Sequence, residues 1–159
     1  MKPSPLQLKQ LLYTRLTVEP IGQYLNVETA PAYEFDFEGV NFTGSVNTAL
    51  ADGQNDDPRD YVVDLRISFP GEVGKQTPYR VDAGVIGFFQ ISDLIKKSER
   101  EDIVTVNGAS LLYSAMREIV ASITSRSVFG IMTLPTMNFQ DHRSTNKTST
   151  PTTNSSTTK

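Results

Sequence analysis

The segment from Tyr61 to Phe69 constrains this chain more than any other stretch. Tyr61, Val63, Leu65, Ile67 and Phe69 fall on one side of an extended backbone, while Asp64, Arg66 and Ser68 share the other with Val62. A period of two over that length predicts a β-strand with one face on a core and one toward water or a partner. Pro70-Gly71 then supplies a turn.

Pro78 to Ile91 predicts a longer strand of the same kind. Tyr79, Val81, Ala83, Val85, Phe89 and Ile91 line one face, and Arg80, Asp82, Gly84, Ile86, Phe88 and Gln90 line the other. Gly84 and Gly87 have no side chain to pack, which predicts a bulge, a bend or a close backbone approach, and a sheet curved at that place. Upstream, Leu12, Thr14, Leu16 and Val18 alternate with Tyr13, Arg15, Thr17 and Glu19, giving a first strand that Pro20 interrupts. A second strand, weakened by Gly44, spans Val40 to Leu50 and runs into the turn-rich Asp52–Pro58.

The connection between the first two strands is long and aromatic, with Tyr24, Tyr33, Phe35 and Phe37 set among Pro31, Gly22 and Gly39. Disordered loops are poor in aromatics, and long ordered ones are usually functional. These rings therefore either serve a binding role or cap the core from outside, and the two roles are compatible.

After a charged connector, Lys96–Asp102, the period changes to that of a helix. Leu112, Ala115, Met116, Ile119, Val120 and Ile123 fall on one arc, opposite Ser114, Arg117, Ala121 and Ser125. The back of this amphipathic helix is small and polar more than charged, which suits approach by a second polypeptide. Ser114, Arg117 and Ala121 are the candidate oligomer contacts. From Ser144 to Lys159 the chain is almost wholly Ser, Thr, Asn, Lys and Pro, too polar to bury a core. The expected fold is α+β: a curved four-stranded antiparallel sheet, a long crossover after strand 1, one main amphipathic helix and a disordered C-terminal tail. Residues 1–10 are then an N-terminal extension, 11–139 the domain and 140–159 the tail.

The formal charge of −3 and a pI near 5.1 lack the basic excess that nucleic-acid binding needs. With no cysteine there is neither a disulfide framework nor a thiolate nucleophile. The N-terminus has no apolar signal core, and no run of about 18 apolar residues occurs. The expectation is a cytoplasmic protein without membrane insertion, and Asn41, Asn146 and Asn154 match a glycosylation pattern by chance. The sole histidine, His142, sits beside the tail without positioned partners, and Asp36/Glu38 and Asp56/Asp57 fall in a loop and a turn. No catalytic residue, metal site or cofactor is expected.

In its order of elements the chain resembles the SecB family of bacterial protein-export chaperones. The likeness sharpens at Ser110-Leu111-Leu112-Tyr113-Ser114-Ala115-Met116-Arg117-Glu118, at Ser125-Arg126-Ser127-Val128-Phe129 and at Leu134-Pro135-Thr136-Met137-Asn138-Phe139. Asp82-Ala83-Gly84-Val85-Ile86-Gly87-Phe88-Phe89 and the stretch from Tyr13 to Glu19 resemble the family's fourth and first strands. The resemblance implies a homotetramer, a dimer of dimers, that holds unfolded client polypeptides in grooves lined by the crossover, the sheet and the helix. On that carry-over Ile21, Tyr24, Phe35, Phe37 and Phe42 are the client contacts. Glu19 and Asp82 would be what remains of the acidic face that docks SecA.

Several positions depart from the family pattern. Arg15 and Arg80 stand within the docking face, the helix-breaking Phe-Pro is replaced by Tyr113-Ser114, and the Ser/Thr tail takes the place of a C-terminal helix. Opposite charges in a docking patch lower complementarity. A specialised SecB-like chaperone guarding the antitoxin of a toxin–antitoxin pair accommodates these changes. A reading from another class is a protein that binds a small apolar ligand between sheet and helix.

Overall fold

β3 (Asp60–Phe69) forms where the alternation predicts it and buries the five expected residues, Tyr61, Val63, Leu65, Ile67 and Phe69. The computed structural model to which it belongs describes residues 1–22, 31–51, 56–71 and 73–143. β1 (Leu6–Pro20), β2 (Thr43–Leu50) and β4 (Tyr79–Ile91) complete one antiparallel sheet in the order β1-β4-β3-β2. β2, β3 and β4 form a meander, and the crossover from β1 leads round to its far edge, a Greek-key path. One helix, α1 (Lys97–Thr124), crosses a face of this sheet. The α+β sheet with a long crossover and one main helix is thus as the sequence predicts. The expected polar tail, Ser144 to Lys159, lies outside the described residues.

β1 departs from the expected pattern. It has 15 residues and begins at Leu6, and its register against β4 slips between Leu8 and Gln10 and between Tyr13 and Arg15. The second slip leaves Thr14 as an extra residue, so the strand changes faces there. Tyr13, Leu16 and Val18 pair with Val85, Ala83 and Val81 on the core side, whereas Leu12 pairs with Ile86 on the outer side. Gly84 permits the bulge, because a Cβ at that position would lie 2.7 Å from Thr14 Oγ1. The irregularity expected inside β4 is therefore borne by its neighbour. Gly87 serves the other expectation, close approach: its Cβ would lie 2.7 Å from Leu112 Cδ2 on α1.

The charged run after β4 is helical. Lys97–Asp102 forms the first turns of the 28-residue α1, as the high helix propensity of Lys, Glu and Arg permits without any apolar period. Arg100 is buried, and donates to Asp57 and to the carbonyls of Pro58 and Ile95. Lys97 Nζ donates to Asp56 O. These bonds tie the β2–β3 turn to the start of the helix. Further along, Val104, Ala109, Leu112, Met116 and Val120 are buried with β3 and β4, each large side chain contributing roughly 1.5–3 kcal/mol by transfer from water.

Past α1 the chain turns at Gly130, whose φ of 75° suits glycine, and returns along the helix as an extended strap. Met132 N donates to Thr124 Oγ1, Arg117 Nε to Leu134 O and Tyr113 Oη to Pro135 O. Met132, Leu134 and Phe139 are buried. Tyr79 Oη fastens the start of this strap by accepting from Phe129 N and donating to Gly130 O. Among the described residues no helix is long and apolar enough to cross a membrane, and no group of three or more His, Cys, Asp or Glu could hold a metal ion.

Candidate functional site

The second half of the crossover folds against the end of the sheet. Ala32 is buried in a single 3-10 turn, Ala32–Glu34, and its N–H donates to Phe129 O at 3.0 Å. From there Phe35 and Phe37 point into one cluster, with ring centroids 5.1 Å apart and an edge-on geometry. Phe37 lies 6.0 Å from Phe42, and Phe42 lies 4.8 Å from the core ring of Phe69. The cluster thus leads from the buried Phe69 outward through three half-buried rings. Edge-on and tilted pairs of this kind add to area burial in holding rings together.

Polar bonds set the backbone that carries these rings. Asp36 Oδ1 accepts from Glu38 N at 2.9 Å, and Lys75 Nζ donates to Asp36 O at 2.7 Å. The Glu38 amide first, and then the Lys75 ammonium, holds the Asp36 carboxyl below its ordinary range. Lys75 also lies 5.0 Å from the centre of the Phe35 ring, a cation–π distance. Gly39 O accepts from Lys75 N, and Asn41 O accepts from Gly71 N. The β3–β4 connection therefore clasps the loop that presents Phe35, Phe37 and Phe42.

Phe42 also forms one wall of a pocket of about 170 Å³ between β2, β3 and the strap. Val46, Ile67, Met137 and Phe139 supply its apolar lining, and Gly44 and His142 also border it. These residues were not among those expected from the sequence. His142 is exposed, as expected beside the tail, but its ring lies 6.2 Å from that of Phe139. The cue available was the alternation of Met132 and Leu134 with exposed neighbours, which marks the strap as packed chain.

Of the expected client contacts, the structure brings Phe35, Phe37 and Phe42 together. Ile21 sits at the departure of the crossover, its N–H donating to Pro78 O at 2.9 Å, and Tyr24 lies outside the described residues. Glu19 and Asp82 are on the outer face of the sheet, and each meets an arginine. Glu19 pairs in register with Arg80, and Asp82 Oδ2 lies 2.8 Å from Arg15 Nε. On α1, Ser114 is exposed, Ala121 is half-buried, and Arg117 is engaged with Leu134 O of its own chain.

The candidate site is thus an aromatic loop and an apolar pocket at one edge of an open antiparallel sheet backed by one helix. Residues 26–148 match the family described as SecB, Preprotein translocase subunit SecB, and the chain belongs to the SecB family. SecB proteins are chaperones, and that is the class to which this chain is assigned. Among the solved structures that resemble the chain are two at low sequence identity. One is the Mycobacterium tuberculosis Rv1957 SecB-like chaperone in complex with a ChAD peptide from the Rv1956 HigA1 antitoxin, at 17% identity and a TM-score of 0.46, covering 84% of this chain and 91% of that one. The other is a protein of unknown function from Streptococcus agalactiae, at 13% identity and a TM-score of 0.50, covering 82% of this chain and 96% of that one. At such identities the second likeness speaks to the fold alone. No curated protein matches the chain.

Proposed function

We propose that this chain holds non-native polypeptides on the surface formed by Phe35, Phe37 and Phe42, without catalysis and without a cofactor. The observation that carries the reading is the continuity of these half-buried rings with the pocket beyond Phe42 in a SecB-family chain. An unfolded client offers scattered apolar side chains and unpaired backbone groups. The rings accept the first, and the open edge of β2 can pair with the second. Ile21, at the other end of the crossover, is a further candidate client contact.

Assembly is supported by β1, an edge strand whose Leu8, Leu12 and Leu16 are 39%, 45% and 36% exposed. Long apolar edges are normally paired or covered. A second copy paired through β1, with two such dimers meeting on the helix side near Leu111 and Ser114, makes the homotetramer. The compartment for this work is the cytoplasm. The Arg15–Asp82 pair favours a chaperone uncoupled from SecA, such as one serving a toxin–antitoxin system. The pocket at Phe42 favours one further reading, a carrier of a small apolar molecule.

The test is titration of the full chain with a reduced, carboxymethylated protein that cannot fold. Saturable binding at micromolar concentration, absent for the same protein in its folded form, is expected. No binding to the unfolded form would overturn the proposal.

A further inference from the structure

We infer that the outer face of the sheet, the side away from α1, docks an amphipathic helix of a partner protein that seats an acidic side chain at Gly84. The inference goes beyond the chaperone reading and uses none of the residues assigned to clients. On β4, Gly84, Ile86 and Phe88 face outward, and their register partners on β3 are Arg66, Asp64 and Val62. The water-facing side of an antiparallel sheet normally carries polar residues in alternation with the core. Ile86, Phe88 and Val62 break that rule together, half-buried at the centre of the face, while the core and α1 lie on the other side.

Gly84 opens a pit beside this apolar patch. Arg15 of β1 and Arg66 of β3 stand opposite it in register on either side, and Thr14, Asp82 and Ala83 complete the lining of a space of about 180 Å³. With strands about 4.8 Å apart, the two arginines are rooted about 10 Å from each other, within reach of one carboxylate held between them. Arg15 Nε lies 2.8 Å from Asp82 Oδ2, and Arg66 Nη2 lies 3.3 Å from Asp64 Oδ2. A guanidinium has five N–H donors in a planar fork, so each arginine keeps donors for a further acceptor. The two arginine side chains are 68% exposed, against 34% for Asp82 and 24% for Asp64. An approaching surface therefore meets the guanidiniums first, with the carboxylates beneath them, and an acidic partner complements that order.

The class of occupant follows from its backbone. Extended segments pair at sheet edges, and one laid across a face would bury its own N–H and C=O groups without partners. A helix satisfies those groups internally. Successive outward residues of β4 are about 6.7 Å apart, close to the rise of about 6 Å over four helical residues. A helix lying along β4 thus sets a glutamate over Gly84 and apolar residues four and eight positions away over Ile86 and Phe88. Residues 144–159 carry neither an acidic nor a large apolar side chain, which excludes them as the occupant.

The experiment titrates the full chain with an alanine-based helical peptide that has one glutamate and leucines four and eight positions beyond it. Methyl resonances of Val62 and Ile86 report docking, those of Val46 and Met137 report the client surface, and circular dichroism establishes that each variant is folded. Saturable shifts at Val62 and Ile86 are expected, with at least about tenfold weaker binding when the glutamate is replaced by glutamine or both leucines by alanine. Arg66→Gln should erase the advantage of glutamate over glutamine. If that change disturbs β3 by leaving Asp64 unpaired, Arg15→Gln should erase it instead. Absence of shifts at Val62 and Ile86, or equal binding of the glutamate and glutamine peptides by the unaltered chain, overturns the inference. So does a preference for glutamate that survives in both folded arginine variants. Shifts confined to Val46 and Met137 mean that the peptide is held as a client, which overturns docking while the chaperone reading stands. Equal binding of a proline-interrupted peptide with the same glutamate and leucines overturns the helical occupant.

Discussion

Arg117 Nε donates to Leu134 O across 2.8 Å, and one helical turn earlier Tyr113 Oη donates to Pro135 O at 2.7 Å. These two bonds hold the strap against α1, and the strap in turn forms a wall of the pocket. Burial pushes the Tyr113 hydroxyl from 10.0 up to about 12, against a smaller lowering by Arg117. Because the folded value is the higher, the unfolded chain loses its proton first. The stability associated with neutral Tyr113 is intact below about pH 10 and is lost as pH rises toward 12. Unfolding followed by circular dichroism should show a fall on the order of 2 kcal/mol across that window. Tyr113→Phe should cost about 1 kcal/mol at neutral pH for the lost hydrogen bond and remove this share of the alkaline fall.

Gly87→Ala should destabilise the fold. The added methyl would lie 2.5 Å from Phe89 Cε2 and 2.7 Å from Leu112 Cδ2, and both neighbours are fully buried. Overpacking of this kind costs about 1–3 kcal/mol, read as a lower urea midpoint with an unchanged slope. An unchanged midpoint would mean that α1 can lift from β4 without penalty.

Charge on the outer face should govern any docking of SecA. With Arg15 bound to Asp82 and Arg80 opposite Glu19, SecA is expected to bind weakly or not at all. Arg15→Glu with Arg80→Glu should strengthen the interaction by about tenfold, in a salt-sensitive way. Tight binding by the unaltered chain, measured at two ionic strengths, would contradict this.

The β1 edge should decide the size of the particle. Light scattering at micromolar concentration is expected to give a tetramer, and Leu12→Lys with Leu16→Lys should reduce it to monomer or to a helix-paired dimer, since charge on an edge strand blocks pairing. A monomer from the unaltered chain would remove the proposed assembly.

Much of the fold was legible because β3 and β4 each keep apolar residues at nearly every second position along one face. The phase of β1 was not, because it depends on Thr14 bulging over Gly84, a contact between strands that no local period encodes. Lys97–Asp102 read as a connector because charged helix formers leave no apolar stripe, although Arg100 is in fact buried. The aromatic half of the site announced itself through the density of Phe35, Phe37 and Phe42. The pocket did not: Gly44 and Phe139 are distant in the chain, and an absent side chain leaves no mark in an apolar pattern.

The most direct measurement of client holding is suppression of aggregation of a chemically denatured protein by the full chain and by Phe35→Ala/Phe37→Ala. Each ring, if fully buried by a client, is worth roughly 1.5–3 kcal/mol, so even partial burial predicts at least a tenfold loss of protection. Circular dichroism should show the double variant folded, since the strap, the core and the β3–β4 turn keep their own bonds. A folded variant that protects as well as the parent would contradict the assignment of this surface to clients.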